Sequence, residues 1–250
     1  MMRFQKRIAV LSDIHGNSLA LKAVLDDINK REINSIVNLG DSLYGPLEPE
    51  KTAKILINLK IPSIRGNEDR ILINPQDKEV KKNSTLSYVI SGISSKTIQW
   101  LEKLSSVIEF EDMILFHGTL KNDLEYFFES VRESGISIKS NKDLLTQTSI
   151  FSQNIILCGH SHFPRSIHLK NGKFIVNPGS VGLQAYTDNN PYPHIIETGT
   201  PHARYCILHL NKRHSWSEYI LVHYDWNKAS ELALGNGRHD WAKWLKYGKV

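Results

Sequence analysis

The chain has 250 residues, of which 40% are hydrophobic and 23% charged, and carries a net charge of +5. This composition excludes a disordered or fibrous chain, and no apolar run approaches the roughly 20 residues that cross a bilayer. The positive charge is scattered over lysines, with small clusters such as Lys81-Lys82 and no basic stripe interleaved with aromatics, which argues against nucleic acid as the partner.

The amino terminus is basic and then apolar, as in a signal peptide. Its apolar part, Ile8-Ala9-Val10-Leu11, is four residues long, against about 7–15 for a signal core. It leads directly into Ser12-Asp13-Ile14-His15-Gly16-Asn17 and reads as a buried strand. Asp13 and His15 stand at i and i+2, which in extended backbone point the same way. A helix is predicted next, capped by Asn17 or Ser18, with Leu21, Val24, Leu25 and Ile28 on one face.

The pattern then repeats. Ile36-Val37-Asn38-Leu39 reads as a strand ending in Gly40-Asp41, followed by a helix with Ile55, Leu56 and Leu59 on one face. Ile61 to Ile64 is a third, short strand ending in Arg65-Gly66-Asn67-Glu68-Asp69, with Pro62 restricting it to a start or an edge. This β-α-β-α-β order implies a parallel sheet with right-handed crossovers, whose ligands bind beyond the carboxyl ends of the strands. Residues 70–106 are less regular, with Ile98, Leu101 and Leu104 hinting at a helix.

Met113 to Phe116 reads as a strand ending in His117-Gly118, and residues 121–153 read as two helices with a polar break around Ser137 to Asn141. Ile155 to Cys158 ends in Gly159-His160-Ser161-His162, the same i, i+2 arrangement as Asp13 and His15. A hairpin follows over Ile167 to Val176 around Asn171-Gly172. Gln184 to Ala203, with three prolines, reads as a loop in which His194 and His202 are surface residues. Tyr205 to Leu210 and Tyr219 to His223 read as antiparallel strands, and the tail from Trp226 as two helical pieces with Trp241, Trp244 and Leu245 on their apolar face. There is no internal repeat or linker, so one domain spans 1–250, with a helical cap insert at about 118–153 and a helical tail at about 226–250. Cys158 and Cys206 sit in apolar runs, as buried thiols of a reducing, cytoplasmic compartment do.

Seven strand-end groups stand out: Asp13, His15, Asp41, Asn67, His117, His160 and His162. They are too many for one tetrahedral zinc and suit two divalent transition ions with mixed nitrogen and oxygen ligands, namely Mn, Fe, Zn, Ni or Co. Asp41 is the natural bridge between the ions, because its strand falls between those of Asp13 and Asn67 in chain order. In this order, Asp13-x-His15, Gly40-Asp41, Gly66-Asn67, His117-Gly118 and Gly159-His160-x-His162 resemble the calcineurin-like metallophosphoesterase superfamily, over about residues 7–182. The Asn177-Pro178-Gly179-Ser180 turn and the small size resemble its compact bacterial and archaeal phosphodiesterase branch.

The resemblance implies an α/β fold, a four-layer α-β-β-α sandwich of two mixed sheets flanked by helices. It implies that Asp13, His15, Asp41 and His162 hold one ion, that Asp41, Asn67, His117 and His160 hold the second, and that a metal-bridging hydroxide attacks phosphorus. The implied reaction is hydrolysis of a phosphodiester, phosphomonoester or nucleotide phosphoanhydride, with a small phosphorylated substrate such as a nucleotide. Members of the superfamily that act only as metal-binding scaffolds, and its nucleases, are the alternatives. Many members carry His directly after Gly-Asn, whereas this chain has Glu68, expected to stay ionised beside two dications and to be a poor proton donor. Arg65 is a candidate phosphate contact.

Overall fold

Alternation along the strands sets the architecture. In the computed structural model, which describes residues 6–211 and 214–250, the first strand β1 (Arg7–Leu11) turns Ile8 and Val10 to one side and Ala9 and Leu11 to the other, and all four are fully buried. A strand buried on both faces must lie inside a layered stack.

The first half of the chain continues with α1 (Ser18–Lys30), β2 (Ile36–Asn38), α2 (Pro49–Leu59), α3 (Asn67–Ile73), α4 (Asp77–Lys82), α5 (Ser84–Gly92) and α6 (Ser95–Glu102). It then passes through β3 (Val107–Glu109), β4 (Met113–Phe116), β5 (Glu129–Arg132), β6 (Gly135–Ile138) and α7 (Asn141–Thr148). The second half holds β7 (Ile155–Leu157), β8 (Arg165–His168), β9 (Phe174–Asn177), β10 (Ala185–Asp188), β11 (His194–Glu197), β12 (Ala203–His209) and β13 (Trp216–Val222), and ends in α8 (Trp226–Gly235) and α9 (His239–Tyr247).

Two mixed sheets form. One has the order β13-β12-β1-β2, with β1 and β2 parallel; the other has the order β3-β4-β7-β9-β8, with β4, β7 and β9 parallel. Ile8 and Val10 meet Met113, Leu115, Ile155, Leu157, Phe174 and Val176 between the sheets. The opposite face of the first sheet, Ala9, Leu11, Tyr205 and Ile207, packs under Leu21, Val24 and Ile28 of α1, Leu56 of α2 and Leu245 of α9. The opposite face of the second, Ile114, Phe116, Ile156 and Ile175, packs under Phe127, Phe128, Leu144 and Phe151. The four-layer sandwich of two mixed sheets between helices is therefore observed.

Three expectations are corrected. Residues 118–153 are not a helical insert: they hold the β5–β6 hairpin and one helix, α7. The Gln184–Ala203 stretch is not a loop but contains the antiparallel pair β10–β11, with His194 and Ile196 buried and Ile195 and Glu197 exposed. The third strand at Ile61–Ile64 reduces to two isolated bridges, Asn38 to Ser63 and Ile64 to Ser105. Pro62 has no N–H for a longer ladder. No helix among the described residues is long and apolar enough to cross a membrane.

Candidate metal centre

The parallel strands β1, β2, β4 and β7 deliver their carboxyl ends to one edge, and six of the seven expected ligands follow those ends within a few residues. Asn67 arrives differently, as the first residue of α3. The i, i+2 pairs do share a direction, but not through extended backbone. Asp13, His15, Asp41, His160 and His162 have φ values of 54°, 51°, 51°, 68° and 56°. Each non-glycine residue held in the left-handed region costs about 1–3 kcal/mol and persists only where its surroundings fix it. Such strain, concentrated on the polar residues of one edge, marks a functional site.

The surroundings that fix these loops are visible. Asp69 accepts from the backbone N–H groups of Ser42 (2.9 Å), Leu43 (3.3 Å) and Gly66 (3.2 Å), tying the Asp41 loop to the start of α3. Gly66 leaves room for the Asp41 carboxylate, because a Cβ there would lie 2.2 Å from Asp41 Oδ1. That oxygen accepts from the Glu68 N–H at 2.9 Å.

Two groups of potential ligands result, Asp13 with His15 and His162, and Asp41 with His117 and His160; within each, the ligand atoms lie within 4.8 Å of one another. The groups adjoin, with His117 Nε2 3.8 Å from Asp13 Oδ1 and 3.1 Å from Asp41 Oδ2. Nδ1 of His15, His117 and His162 sits 2.8, 2.7 and 2.8 Å from the carbonyls of Tyr44, Leu39 and Leu183. A carbonyl only accepts, so each Nδ1 carries a proton and Nε2 is the nitrogen that each ring turns inward.

Inside, potential ligand atoms crowd together. Nε2 of His15 and His162 are 3.1 Å apart. Both oxygens of Asp13, which is wholly buried, lack a hydrogen bond. The Asn67 amide end lies 3.0 Å from His160 Nδ1, 3.0 Å from His117 Nε2 and 3.3 Å from Asp41 Oδ2. With its nitrogen turned inward it donates to these atoms; with its oxygen turned inward it can ligate a cation among them. The buried, unpaired oxygens of Asp13 and the close approach of the His15 and His162 Nε2 atoms are costly, and a metal ion relieves both. The residues fit two divalent ions.

The protein's own charges already polarise the site. Burial alone would raise Asp41 and Asp13, but the imidazoles, His117 foremost for Asp41 and His162 for Asp13, hold both carboxyls below their ordinary range. Burial would lower His117, yet Asp41 lifts it to about 10. Burial, then the neighbouring ring (His162 and His117 respectively), depress His15 and His160 to about 4. Glu68 is pushed up to about 8 by burial and by the carboxylates of Asp41 and Asp69. The protein groups thus drive Glu68 opposite to the direction expected from two dications, so in the loaded site the two influences compete.

The centre opens into a cleft of about 390 Å³, lined by His15, Asp41, Asn67, His160 and His162 at its base and by Glu68 on one side. Arg65 is placed outside this cleft, in a neighbouring cavity of about 280 Å³ that it shares with His117 and Lys121. Sequence reasoning missed Tyr44, Tyr186 and Arg238, which also line the cleft, and assigned Trp241 and Trp244 to the core of a docked tail, with a partner-binding face as the alternative. It also placed His194 at the surface. That ring is buried, with Nε2 2.9 Å from the Tyr126 hydroxyl, which is 2.7 Å from that of Tyr186.

Comparison with known proteins gives the family and the fold. The sequence model of the calcineurin-like phosphoesterase superfamily domain matches residues 7–200, and the chain belongs to that superfamily. It is 27% identical over 258 residues to the uncharacterized protein MJ0912 of Methanocaldococcus jannaschii, covering 94% of each chain. It shares its fold with a metallophosphoesterase from Sphaerobacter thermophilus, with a TM-score of 0.76, 22% identity, and coverage of 97% of this chain and 99% of the other.

Proposed function

We propose that this protein is a two-metal phosphoesterase acting on small phosphorylated substrates, diesters, monoesters or nucleotide anhydrides. Asp13, His15, Asp41 and His162 would hold one ion, and Asp41, Asn67, His117 and His160 the other. The observation that carries this reading is the pair of adjoining, buried groups of potential ligands beside an open cleft, with both oxygens of Asp13 unpaired. Asp41 is assigned the bridge because its strand β2 pairs with β1, which leads into Asp13, and its loop is tied through Asp69 to the start of α3, which carries Asn67. The nitrogen-rich donor set suits Mn, Fe, Zn, Ni or Co rather than Mg or Ca.

Bound ions supply charge that neutralises phosphate oxygens and acidifies water near neutral pH. The chain's own residues supply the rest. The carbonyls of Tyr44, Leu39 and Leu183 fix the imidazole tautomers, and Asp69 holds the Asp41 loop in register with Asn67. These groups are set before substrate arrives, so little reorganisation is left for the reaction. The direct test is hydrolysis of bis(p-nitrophenyl) phosphate and of the corresponding monoester, with and without Mn²⁺. Metal-dependent turnover is expected; none, with metal bound, would leave a metal-binding scaffold.

Glu68 lines the cleft, directly after Gly66-Asn67, where the resemblance to the superfamily implies His in many members. Two bound dications would ionise this carboxyl against the upward push of burial, Asp41 and Asp69, and as a carboxylate it would repel a phosphate and protonate an alkoxide poorly. Glu68→His is expected to raise hydrolysis of an alkyl ester relative to a nitrophenyl ester by about 10²-fold, the low end of what a positioned general acid contributes. An unchanged alkyl-to-aryl rate ratio would show that Glu68 does not limit leaving-group departure.

A further inference from the structure

Two candidate ligands on one short loop belong to different groups. His160 falls with Asp41 and His117, His162 with Asp13 and His15, and both hold left-handed backbone, with φ of 68° and 56°. Only Ser161 separates them, so the spacing of the two groups depends on how this loop is held.

Each of the two rings rests on a tyrosine. The Tyr126 ring centroid lies 4.9 Å from that of His160, and the Tyr186 ring meets that of His162 at 63° with centroids 4.7 Å apart. The two tyrosine hydroxyls are 2.7 Å apart. The Tyr186 hydroxyl is also 3.2 Å from the His160 carbonyl. The Tyr126 hydroxyl lies 2.9 Å from Nε2 of His194, whose Nδ1 is 2.7 Å from the Tyr192 carbonyl and carries a proton. Tyr186 and His194 stand on the paired strands β10 and β11. Arg204 of β12 anchors the base of that hairpin by donating to Gln184 Oε1 at 2.7 Å and to the His202 carbonyl at 2.8 Å.

His160 has the most need of such support. The rings of His15, His117 and His162 are fixed through Nδ1 to carbonyls of the buried residues Tyr44, Leu39 and Leu183. His160 instead brings Nδ1 to 3.0 Å from the Asn67 amide, and its carbonyl partner is Leu124, which is 59% exposed.

We propose that Tyr126, Tyr186 and His194 are positioning residues that clamp the His160–His162 loop. The contact between the tyrosine hydroxyls ties a ligand of one ion to a ligand of the other. The clamp acts through these ligands and takes no part in bond making. The inference rests on the two-metal reading for what the loop holds, and adds the residues that set the loop.

Calorimetric titration of the metal-stripped full chain with Mn²⁺ reads the two sites as separate binding steps, and His160→Ala marks which step depends on His160. Tyr186→Phe keeps the ring on His162 and removes the hydroxyl from Tyr126 and from the His160 carbonyl. It is expected to weaken the His160-dependent step by about 10-fold, the low end of the cost of losing a group that orients a ligand, and to leave the other step within about 3-fold. His194→Leu, which deprives the Tyr126 hydroxyl of its partner, should act in the same direction, and His194→Gln, whose amide can meet that hydroxyl, should restore most of the affinity. The metal-free Tyr186→Phe chain should melt close to wild type. A purely structural role would lower that melt and weaken both steps together. Tyr186→Phe removes a single oxygen and carries the comparison should His194→Leu fail to fold. Both steps weakened alike in Tyr186→Phe, or neither weakened, would overturn the clamp while leaving the two-metal centre standing. Uptake of fewer than two ions by wild type would overturn both.

Discussion

Asp41→Asn is expected to abolish metal-dependent diester hydrolysis, by at least about 10²–10³-fold, the cost of losing one preorganised electrostatic group. The substitution is nearly isosteric, so the fold has no reason to change. Asp41 is buried, accepts the Glu68 N–H through one oxygen at 2.9 Å and faces His117 Nε2 with the other at 3.1 Å. An amide retains the first of these contacts through its oxygen. It removes the negative charge that acts on His15, His117 and His160 together. Turnover and bound metal should therefore fall together while the thermal melt stays close to wild type. An Asn variant retaining more than a tenth of wild-type turnover would show that Asp41 does not bridge.

The second large effect is on stability. The turn after β9 is stitched to the Asp13–His15 loop: Ser180 Oγ donates to the Asp13 carbonyl at 2.8 Å, the Gly182 N–H to the same carbonyl at 2.9 Å, and the Val181 N–H to the Ser12 carbonyl at 3.0 Å. Asn17, the N-cap of α1, closes the seam by donating to the Gly182 carbonyl at 3.0 Å. A Cβ on Gly182 would lie 1.7 Å from the Ile14 carbonyl oxygen and 2.5 Å from its carbon. Backbone meets backbone there, and no side chain can swing aside. Gly182→Ala should destabilise the protein by about 2–4 kcal/mol in urea denaturation and weaken metal uptake, because the displaced loop carries two candidate ligands. A loss under about 0.5 kcal/mol would mean that the loop yields freely and that its left-handed backbone is not held by this seam.

The candidate ligands were legible because each follows a short aliphatic run, and such runs end at the sheet edge where ligands gather. The geometry that brings them together was not. Asp13 and His15, like His160 and His162, converge through left-handed residues, a conformation that no spacing rule anticipates for Asp or His. A parallel α/β sheet followed from the aliphatic strands and the four layers from the family resemblance, but two hairpins were hidden. In β5 and β6, Glu129, Ser130, Arg132 and Ser137 interrupt any apolar pattern. In β11 the alternation of buried His194 and Ile196 with exposed Ile195 and Glu197 is present, but it sits directly behind Pro191 and Pro193, which read as loop. The part of the cleft made by Tyr44, Arg238 and Trp241 joins residues nearly 200 positions apart in sequence. Helical spacing identified the apolar face of the tail; which groove it fills is a tertiary fact with no local signal.

The central claim is that the two ligand groups work as one binuclear centre. The most direct measurement is titration of the metal-stripped full chain with Mn²⁺, following bound metal per chain and hydrolysis of bis(p-nitrophenyl) phosphate in the same samples. The expected result is saturation at two ions per chain, with turnover rising only as the second site fills, and a loss of that behaviour in Asp41→Asn. Saturation at one ion with full activity, or two ions bound with no turnover of the diester, the monoester or a nucleotide, would contradict it.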